Sequence, residues 1–289
     1  MLKLKVNAGD KGKRADVFIT EKLAGYTRSS LSALFDKELV LVNGKPAKAS
    51  YKLRAGDKVE VNTSLLTAEP EAIEIPVIYQ DDDVIVMNKP AGLLTHSKGA
   101  LNTEATVASF INPLLTDNSL TDNRAGIVHR LDRATSGVII AAKNATTLKL
   151  LQKQFSTRKV KKTYIAVVEG IPKPEEAIID APIARNPKKP QTFRVDSAGK
   201  PAQTQYKTLK NFTKGRKHYS LLELRPQTGR THQLRVHLKY IGHPIIGDQV
   251  YGHAKDNMYL YAKSLEITVP GGHRKIFEVA EPKTFKDFM

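Results

Sequence analysis

The sequence predicts an α+β protein of two domains, in which the larger domain contains a mixed, largely antiparallel sheet. The first observation is length, because the chain has 289 residues and a domain usually has roughly 100–200. The second is that short segments rich in β-branched residues recur without regular alternation with helices, which disfavours a doubly wound parallel sheet. The third is an Asn-Gly pair between two apolar runs, which is typical of an antiparallel hairpin.

Residues 1–62 are predicted to form the smaller α/β domain from two helices, a hairpin and a short strand. Thr27 suits the cap of the second helix, because its hydroxyl can accept a hydrogen bond from a backbone N–H of the first turn. The predicted elements are helices at Arg14–Ala24 and at about Arg28–Lys37, a hairpin that turns at Asn43-Gly44, and a strand that ends at Val61.

Residues 63–73 are interpreted as a linker, since polar and apolar residues are mixed in them and they include Pro70 and two Glu residues. The larger domain is expected to occupy residues 74–289, where hydrophobic periodicity predicts a series of strands and helices. The predicted strands are Val84–Met87, Val138–Ala141, Tyr164–Val168, Tyr219–Leu224 and Leu265–Val269, and the predicted helices are Thr103–Ile111, Thr146–Ser156 and Thr231–Tyr240.

The charge balance favours a polyanionic partner. Lys and Arg number 46 against 29 Asp and Glu, a formal net charge of +17. The segment from Arg158 to Lys217 contains 15 of the basic residues and 5 of the acidic ones, a local excess of ten. Any single basic cluster could be a solvated surface, but that interpretation does not explain the excess across the whole chain.

Several classes of protein lack support in this sequence. There is no Cys, so disulfide frameworks, thiolate catalysis and iron–sulfur sites are excluded, and a reducing cytoplasm is the expected compartment. No apolar run is long enough to span a membrane. Glycine-rich phosphate-binding motifs are missing, so no nucleotide cofactor is expected. His232 and His237 are five residues apart without an acidic third ligand nearby, so no metal is expected.

The segment from Gly126 to Gly137 contains one acidic residue, Asp132, beside Arg130 and Arg133. Positive neighbours favour the ionised form of a carboxylic acid, and an ionised carboxylate suits a nucleophile, a base or a cation ligand. The alternative is a structural ion pair at the start of the strand that follows. These residues alone leave both interpretations open.

A second segment rich in cations predicts a helix with Thr228 or Thr231 as its cap. Within it, His232 and Arg235 are three residues apart and therefore share one face of the helix. That face could contact phosphate or a carboxylate such as Asp132, and the alternative is a solvated basic surface.

Two further segments are weaker signals when taken alone. Tyr164 lies in a predicted strand and shares a face with Ala166, and a tyrosine in that setting is more often part of the core than catalytic. Lys89–Gly92 forms a turn after a predicted strand and carries little information by itself.

Residues His129–Gly137 closely resemble the active-site signature of the ribosomal large-subunit type pseudouridine synthases. Three further motifs resemble that family in the same order, so the resemblance extends from residue 73 to about residue 280. They are Lys89–Leu93 for the first motif, Lys162–Ala166 for the tyrosine motif and Thr228–His237 for the third motif. Residues 1–62 resemble the small RNA-binding domain typified by ribosomal small-subunit protein S-four, through Arg28-Ser-Ser-Leu and Val40–Pro46.

The resemblance implies a pseudouridine synthase fold and the isomerisation of uridine to pseudouridine in RNA, without a cofactor. The N1–C1′ bond breaks, the uracil turns over, and C5 joins C1′. Asp132 would be the catalytic carboxylate, attacking C1′, attacking C6 or removing a proton from C2′. Arg235 would pair with Asp132 and orient it, and Tyr164 would stack on the uracil and help remove the C5 proton.

The resemblance also implies that the uridine leaves its stack, and that Arg130 fills the vacated space or contacts the flanking phosphates. His129, Arg230 and His232 are the other expected substrate-binding residues. The implied partner is RNA, above all ribosomal RNA or a ribosomal assembly intermediate. Two alternatives come from other classes: a noncatalytic ribosome-binding protein or RNA chaperone with a decayed synthase fold, and a DNA-binding protein.

Overall fold

The computed structural model of the protein describes residues 1–23, 26–67, 70–97, 104–120 and 124–289. The chain divides into two compact units, of which the first contains Met1–Ile73 and the second contains Glu74–Thr95 and Ala125–Met289. The described residues between 96 and 110 group with the first unit. The boundaries expected from the sequence, with domains at 1–62 and 74–289 and a linker at 63–73, stay a prediction.

The described part of the first unit contains an antiparallel sheet with strand order β1-β4-β2-β3. Its elements are β1 (Leu2–Lys5), α1 (Ala15–Lys22), α2 (Arg28–Asp36), β2 (Val40–Val42), β3 (Lys45–Pro46), β4 (Lys58–Val61) and the short α3 (Ser64–Thr67). Helices and sheet share one apolar core, in which Phe18, Ile19, Leu34 and Val40 have no exposed surface. Burial of this core stabilises the unit, because each fully buried side chain of this size contributes about 1.5–3 kcal/mol.

Local sequence signals explain most of this unit. The Thr27 hydroxyl accepts a hydrogen bond from the Ser30 N–H at 3.2 Å, and the Ser30 hydroxyl accepts one from the Thr27 N–H, which closes a capping box. Asn43 and Gly44 have φ angles of 51° and 78°, as a two-residue hairpin of the Asn-Gly type requires. The end predicted for the first helix, Ala24 and Gly25, lies outside the described residues.

After residue 73 the chain forms strands interspersed with a few helices. The strands are β5 (Val77–Gln80), β6 (Val84–Lys89), β7 (Ser136–Ala142), β8 (Lys161–Glu169), β9 (Glu176–Asp180), β10 (Ile183–Arg185), β11 (Phe193–Val195), β12 (Gln203–Lys214), β13 (Lys217–Pro226), β14 (Leu260–Thr268) and β15 (Arg274–Glu278). The helices are α4 (Val107–Ile111), α5 (Ala145–Ser156), α6 (Gln233–Tyr240) and α7 (Lys283–Phe288).

Most of these strands form one mixed sheet with the order β5-β6-β7-β14-β8-β13-β12-β9, and β15 pairs with β14. Within the described residues its pairings are antiparallel except that between β7 and β14. The predicted mixed, largely antiparallel α+β fold is therefore confirmed. Strands β10 and β11 form a separate antiparallel pair.

The parallel contact between β7 and β14 depends on a glycine. Gly137, at the start of β7, has a φ of 113°, and a Cβ atom there would lie 2.2 Å from the carbonyl oxygen of Ala262 in β14. No L side chain fits at that distance, so glycine is required for the two backbones to approach. This contact holds the loop before β7 next to the centre of the sheet.

Candidate active site

Residues 129–135 form a loop that leads into β7 and carries Asp132. On one side of Asp132, the Thr95 hydroxyl donates to the carbonyl of Leu131 at 2.8 Å and accepts from its N–H at 3.2 Å. On the other side, the Arg133 carbonyl accepts from the backbone N–H of Gly92 at 2.8 Å. The loop is thus held by its backbone on both sides of the carboxylate, by the segment that follows β6.

Lys89 completes this arrangement at the end of β6. Its side chain has no exposed surface, and its Nζ donates to the carbonyls of Pro90 and Leu93 at 2.8 Å and of Arg133 at 3.3 Å. Burial lowers the pKa of Lys89 to about 7, although the negative charge of Asp132 opposes the shift. We call the contacts of Lys89, Gly92 and Thr95 with the loop backbone the loop clamp.

Arg235, in α6, lies between two carboxylates. Its Nε and Nη2 each donate to the carboxylate of Asp248 at 2.7 Å, and its Nη1 donates to Oδ2 of Asp132 at 3.3 Å. Burial raises the pKa of Asp248, but the hydrogen bonds and charge of Arg235 outweigh it and keep that pKa below the usual value. The bidentate pair with Asp248 holds the guanidinium in place, so that its remaining nitrogen reaches Asp132.

His232 lies directly before α6 with a left-handed backbone, at a φ of 56°. Its Nδ1 lies 2.8 Å from the hydroxyl of Tyr251, and its Nε2 lies 3.9 Å from Oδ2 of Asp132. The predicted cap by Thr228 or Thr231 is wrong, because no side chain caps α6 at His232.

The amide oxygen of Gln233 supplies this turn with hydrogen bonds instead. It accepts from the Thr228 hydroxyl at 2.6 Å and from the Arg230 N–H at 2.9 Å. A glutamine at the first helical position reaches back over the turn, so the sequence pattern of a simple threonine cap does not apply.

A cleft of about 550 Å³ lies over Asp132, a volume typical of small-molecule sites. All seven residues singled out from the sequence line it: Asp132, Tyr164, Arg235, Arg130, His129, Arg230 and His232. Lys162 and Arg158 add positive charge to the lining, and Asp132 is the acidic residue among the lining residues that the structure describes. The cleft therefore presents one carboxylate in cationic surroundings.

Tyr164 lies in β8 and lines the cleft with Lys162 from the same strand. Burial, followed by the charge of Asp132, raises the pKa of the Tyr164 phenol. The phenol therefore keeps its proton at neutral pH.

The contacts of His129 are mainly with other residues of the protein, although its side chain lines the cleft. Its ring stacks on Phe155 with centroids 4.7 Å apart, and its Nε2 accepts from the backbone N–H of Ile140 at 3.2 Å. Burial, with a contribution from the charge of Lys162, lowers the pKa of His129 to about 3, so the ring is neutral. Its contacts make His129 a support for the loop.

Known families and proteins are similar to this chain over both of its units. A model of the RNA pseudouridylate synthase family matches residues 83–240, and a model of the S4 domain matches residues 13–59. An RNA pseudouridine synthase of Aquifex aeolicus (strain VF5), named as uncharacterized, is 37% identical over 95% of this chain and 92% of its own length. The chain belongs to the RNA pseudouridylate synthase family.

Two further relatives agree. The ribosomal large subunit pseudouridine synthase D of Borreliella burgdorferi (strain ATCC 35210 / DSM 4680 / CIP 102532 / B31) is 37% identical over 96% of this chain and 88% of its own. The solved structure of human RNA pseudouridylate synthase domain containing 1 has a TM-score of 0.60 and 26% identity, covering 75% of this chain and 87% of that one. As a pseudouridine synthase, the protein isomerises uridine to pseudouridine in RNA, and the fold expected from the resemblance is confirmed.

Three residues of this pseudouridine synthase site were not singled out from the sequence: Asp248, Tyr251 and Thr95. Each acts through a contact with a residue far away along the chain, such as Arg235 or Leu131. The one available signal was Asp248 itself, an acidic residue between Gly247 and Tyr251 in a segment with few charges.

Two absences complete the description of the site. No group of three His, Asp or Glu side chains that could hold a metal ion occurs in the part of the chain that the structure describes. Within the same residues, no helix is long and apolar enough to cross a membrane.

Proposed function

We propose that the enzyme modifies ribosomal large-subunit RNA and that a uridine flipped out of its stack into the cleft meets Asp132. The observation that carries the proposal is the position of this carboxylate. It lines the cleft, Arg235 contacts its Oδ2, and no described residue forms a hydrogen bond or ion pair with its Oδ1. One oxygen is thus held by the protein and the other is available to a substrate.

One carboxylate suffices for this reaction, whereas a glycosidase usually needs two. The base that leaves C1′ stays in the cleft and is used again, so no second acid has to release it into solvent. Attack of Asp132 on C1′, attack on C6 and removal of the C2′ proton remain the three routes. Each of them requires a carboxylate oxygen that can reach the nucleoside, and Oδ1 of Asp132 is the candidate, since Asp132 lines the cleft.

In this proposal Arg235 is a positioning residue that orients the Asp132 carboxylate through its contact with Oδ2. Tyr164 stacks on the uracil, since its neutral phenol is half-buried in the wall of the cleft. The exposed side chain of Arg130 fills the gap left in the RNA or contacts flanking phosphates. Arg230 and His232 bind the nucleotide from the other side of Asp132, around the start of α6.

The choice of RNA rests on relatives and on charge. Relatives of this chain at 34–37% identity are named ribosomal large subunit pseudouridine synthase D. The S4 domain at residues 13–59 and the net charge of +17 support an extended contact with structured RNA. A ribosomal substrate, as free RNA or in an assembly intermediate, agrees with the cytoplasm as the expected compartment.

The experiment maps pseudouridine in all RNA classes of a strain that lacks the protein. The same strain is then complemented with the wild type, with Asp132→Asn or with Asp82→Asn. Asp82 is an exposed aspartate outside the cleft, so it controls for the same loss of charge. We expect specific positions in large-subunit RNA to lose pseudouridine and to recover it with wild type and Asp82→Asn only. Missing positions confined to transfer RNA would overturn the ribosomal assignment.

Single-turnover kinetics then test Asp132 directly. RNA labelled with tritium at C5 of uridine releases tritium as C5 joins C1′. Asp132→Asn keeps the size of the side chain and removes its charge, so the rate should fall by several orders of magnitude while RNA affinity stays within a factor of about two. Retention of a tenth of the wild-type rate would contradict the role of Asp132.

A further inference from the structure

A row of polar contacts leads from the β10–β11 pair to Asp132. The backbone N–H of Phe193, at the start of β11, donates to the hydroxyl of Tyr251 at 2.9 Å. That hydroxyl lies 2.8 Å from Nδ1 of His232. Nε2, on the far side of the same imidazole, lies 3.9 Å from Oδ2 of Asp132. The hydroxyl of Tyr251 is thus linked to the carboxylate through the imidazole of His232.

The hydrogen bonds favour one position for the proton of the imidazole. A tyrosine hydroxyl has one proton, and because it already accepts from Phe193 its proton can be donated to Nδ1 of His232. In a neutral ring that accepts at Nδ1, the proton is on Nε2. The other side of the ring leads to the same result, because a lone pair on Nε2 would face the negative charge of Asp132.

The ring is also neutral at physiological pH. Burial lowers the pKa of His232 below its usual value. The charges that face the ring oppose one another, since Asp132 and Asp248 raise this pKa while Arg235 and Arg130 lower it. A neutral ring has two possible tautomers, so a hydrogen bond from the hydroxyl of Tyr251 can select between them.

We propose that Tyr251 is a positioning residue that holds neutral His232 in the tautomer with its proton on Nε2, so that the imidazole donates to Oδ2 of Asp132. This inference rests on the proposed function of Asp132. With Arg235 on the same oxygen, this second donor would occupy Oδ2 and leave Oδ1 to the uridine. The separation of 3.9 Å exceeds the length of a hydrogen bond. Catalytic hydrogen bonds are often long in the absence of substrate and shorten when substrate binds.

The substitution Tyr251→Phe isolates the hydroxyl. The tyrosine ring packs edge-on against His232, with centroids 5.5 Å apart, and lies 5.1 Å from the guanidinium carbon of Arg235. Phenylalanine keeps both ring contacts and removes only the oxygen. Tyr206→Phe is a matched control, because it removes a hydroxyl that donates to the Pro174 carbonyl at 2.8 Å outside the cleft.

The first measurement is the ¹⁵N spectrum of the intact enzyme labelled at histidine, with the His232 signals assigned by their loss in His232→Gln. In wild type and in Tyr206→Phe we expect one tautomer, protonated at Nε2. In Tyr251→Phe we expect a mixture of both tautomers. A wild-type ring protonated at Nδ1, or a spectrum that Tyr251→Phe leaves unchanged, would overturn the inference without reference to activity.

The second measurement is a double-mutant cycle on the single-turnover rate at saturating RNA. Loss of one neutral hydrogen bond predicts that Tyr251→Phe lowers the rate about 3- to 10-fold. Glutamine carries its amide N–H near the position of Nε2 and needs no tautomer. In the His232→Gln background, Tyr251→Phe should therefore have no further effect. Equal effects in both backgrounds would show that the hydroxyl acts on packing alone.

The two proposals fail in different ways. If Asp132→Asn retains activity, the role of Asp132 is wrong even when His232 is protonated at Nε2. If Asp132→Asn is inactive while Tyr251→Phe keeps the wild-type rate and the wild-type spectrum, the reaction assignment stands and the role of Tyr251 is overturned.

Discussion

The two units each contain a cluster of three charged side chains, and the clusters are inverses of each other. In the first unit one carboxylate, Asp16, accepts hydrogen bonds from Arg14 and Arg28 at 2.7–3.0 Å. In the second unit one guanidinium, that of Arg235, contacts the two carboxylates of Asp132 and Asp248. The first cluster holds two cations by an anion, and the second holds two anions by a cation.

Exposure shows what each arrangement presents to a ligand. The side chains of Arg14 and Arg28 are 45% and 54% exposed, while Asp16 is 10% exposed. Arg235 is 6% exposed, and of its two partners Asp132 is the more exposed. In each cluster the central charge is largely buried, but both outer charges face solvent in the first cluster, whereas in the second only Asp132 is partly exposed and Asp248 is buried. The first unit thus presents cations that suit phosphate, and the second presents a carboxylate that suits chemistry.

The strongest way to break the second cluster is Arg235→Leu. This change leaves Asp248, which is fully buried, without its cation, and we expect the free energy of unfolding to fall by about 3–5 kcal/mol. Activity should also be lost, because Asp132 loses its partner. Denaturant unfolding and single-turnover rates measure the two effects.

The double variant Arg235→Leu/Asp248→Asn separates those effects. Asparagine is neutral, and its oxygen can still accept from the N–H groups of Val250 and Tyr251. Much of the stability should therefore return while activity does not. Recovery of both would mean that Arg235 acts on activity only through folding.

Lys89 contrasts with Arg235, because it is a buried basic residue with no carboxylate at hydrogen-bond distance among the residues that the structure describes. The amino group of Lys89 contacts backbone carbonyls, and burial lowers its pKa to about 7. Between pH 7 and the ordinary lysine value near 10.5, the unfolded chain binds a proton at Lys89 that the folded chain does not. The contribution of Lys89 to the free energy of unfolding should therefore rise with pH in this window and stay constant below it.

Lys89→Met removes this dependence. We expect the free energy of unfolding of Lys89→Met to be about 1–3 kcal/mol lower than that of wild type, because backbone carbonyls lose their donor. This difference from wild type should grow as pH rises above 7. Denaturant unfolding of both proteins from pH 6 to 10 measures the difference. A difference that shrinks with rising pH would contradict the lowered pKa.

The first cluster is tested by Asp16→Asn, with Asp36→Asn as its control. Both changes remove one negative charge from the same unit, so charge alone predicts tighter RNA binding in both. Asp36 is exposed on α2, while Asp16 holds Arg14 and Arg28 in place. We expect Asp16→Asn to weaken binding about 3- to 10-fold, and Asp36→Asn to leave it equal or slightly tighter. Tighter binding in both would show that the arginines need no anchor.

The smallest effect is expected from Lys188 and Lys189, two exposed residues in the turn between β10 and β11. If they contact RNA phosphates, replacement of both by Ala should reduce the slope of log affinity against log salt by about one to two units. The single-turnover rate at saturation should stay unchanged. Parallel lines for wild type and variant in a salt series would mean that this turn does not contact the RNA.

The parts of the fold that could be predicted depend on local signals. Thr27 and the Asn43-Gly44 turn work through neighbours within a few residues, and the buried strand Val84–Lys89 is continuously apolar at its start. Strand β1 was missed, because four alternating residues are too short a window for periodicity. The long strand Gln203–Lys214 was missed as well, since its second half is mostly exposed and polar, and its ladder with β13 sets its conformation.

The candidate site divides in the same way. Asp132 and its pairing with Arg235 followed from a motif resemblance, and the contact is found at 3.3 Å. Asp248 and Thr95 could not be predicted, because they bind groups 13 and 36 residues away. Thr95 binds backbone atoms, which leave no trace in the choice of side chain at the loop.

The loop clamp has a consequence for how this enzyme can change over generations or in the laboratory. Thr95 and Lys89 bind backbone atoms of Leu131 and Arg133, which every amino acid except proline supplies. If exposed Arg130 contacts RNA as proposed, its substitution should alter what the loop recognises without moving the nearby Asp132 carboxylate. Selection for a new RNA target could thus proceed by single steps in this loop, each leaving a working enzyme.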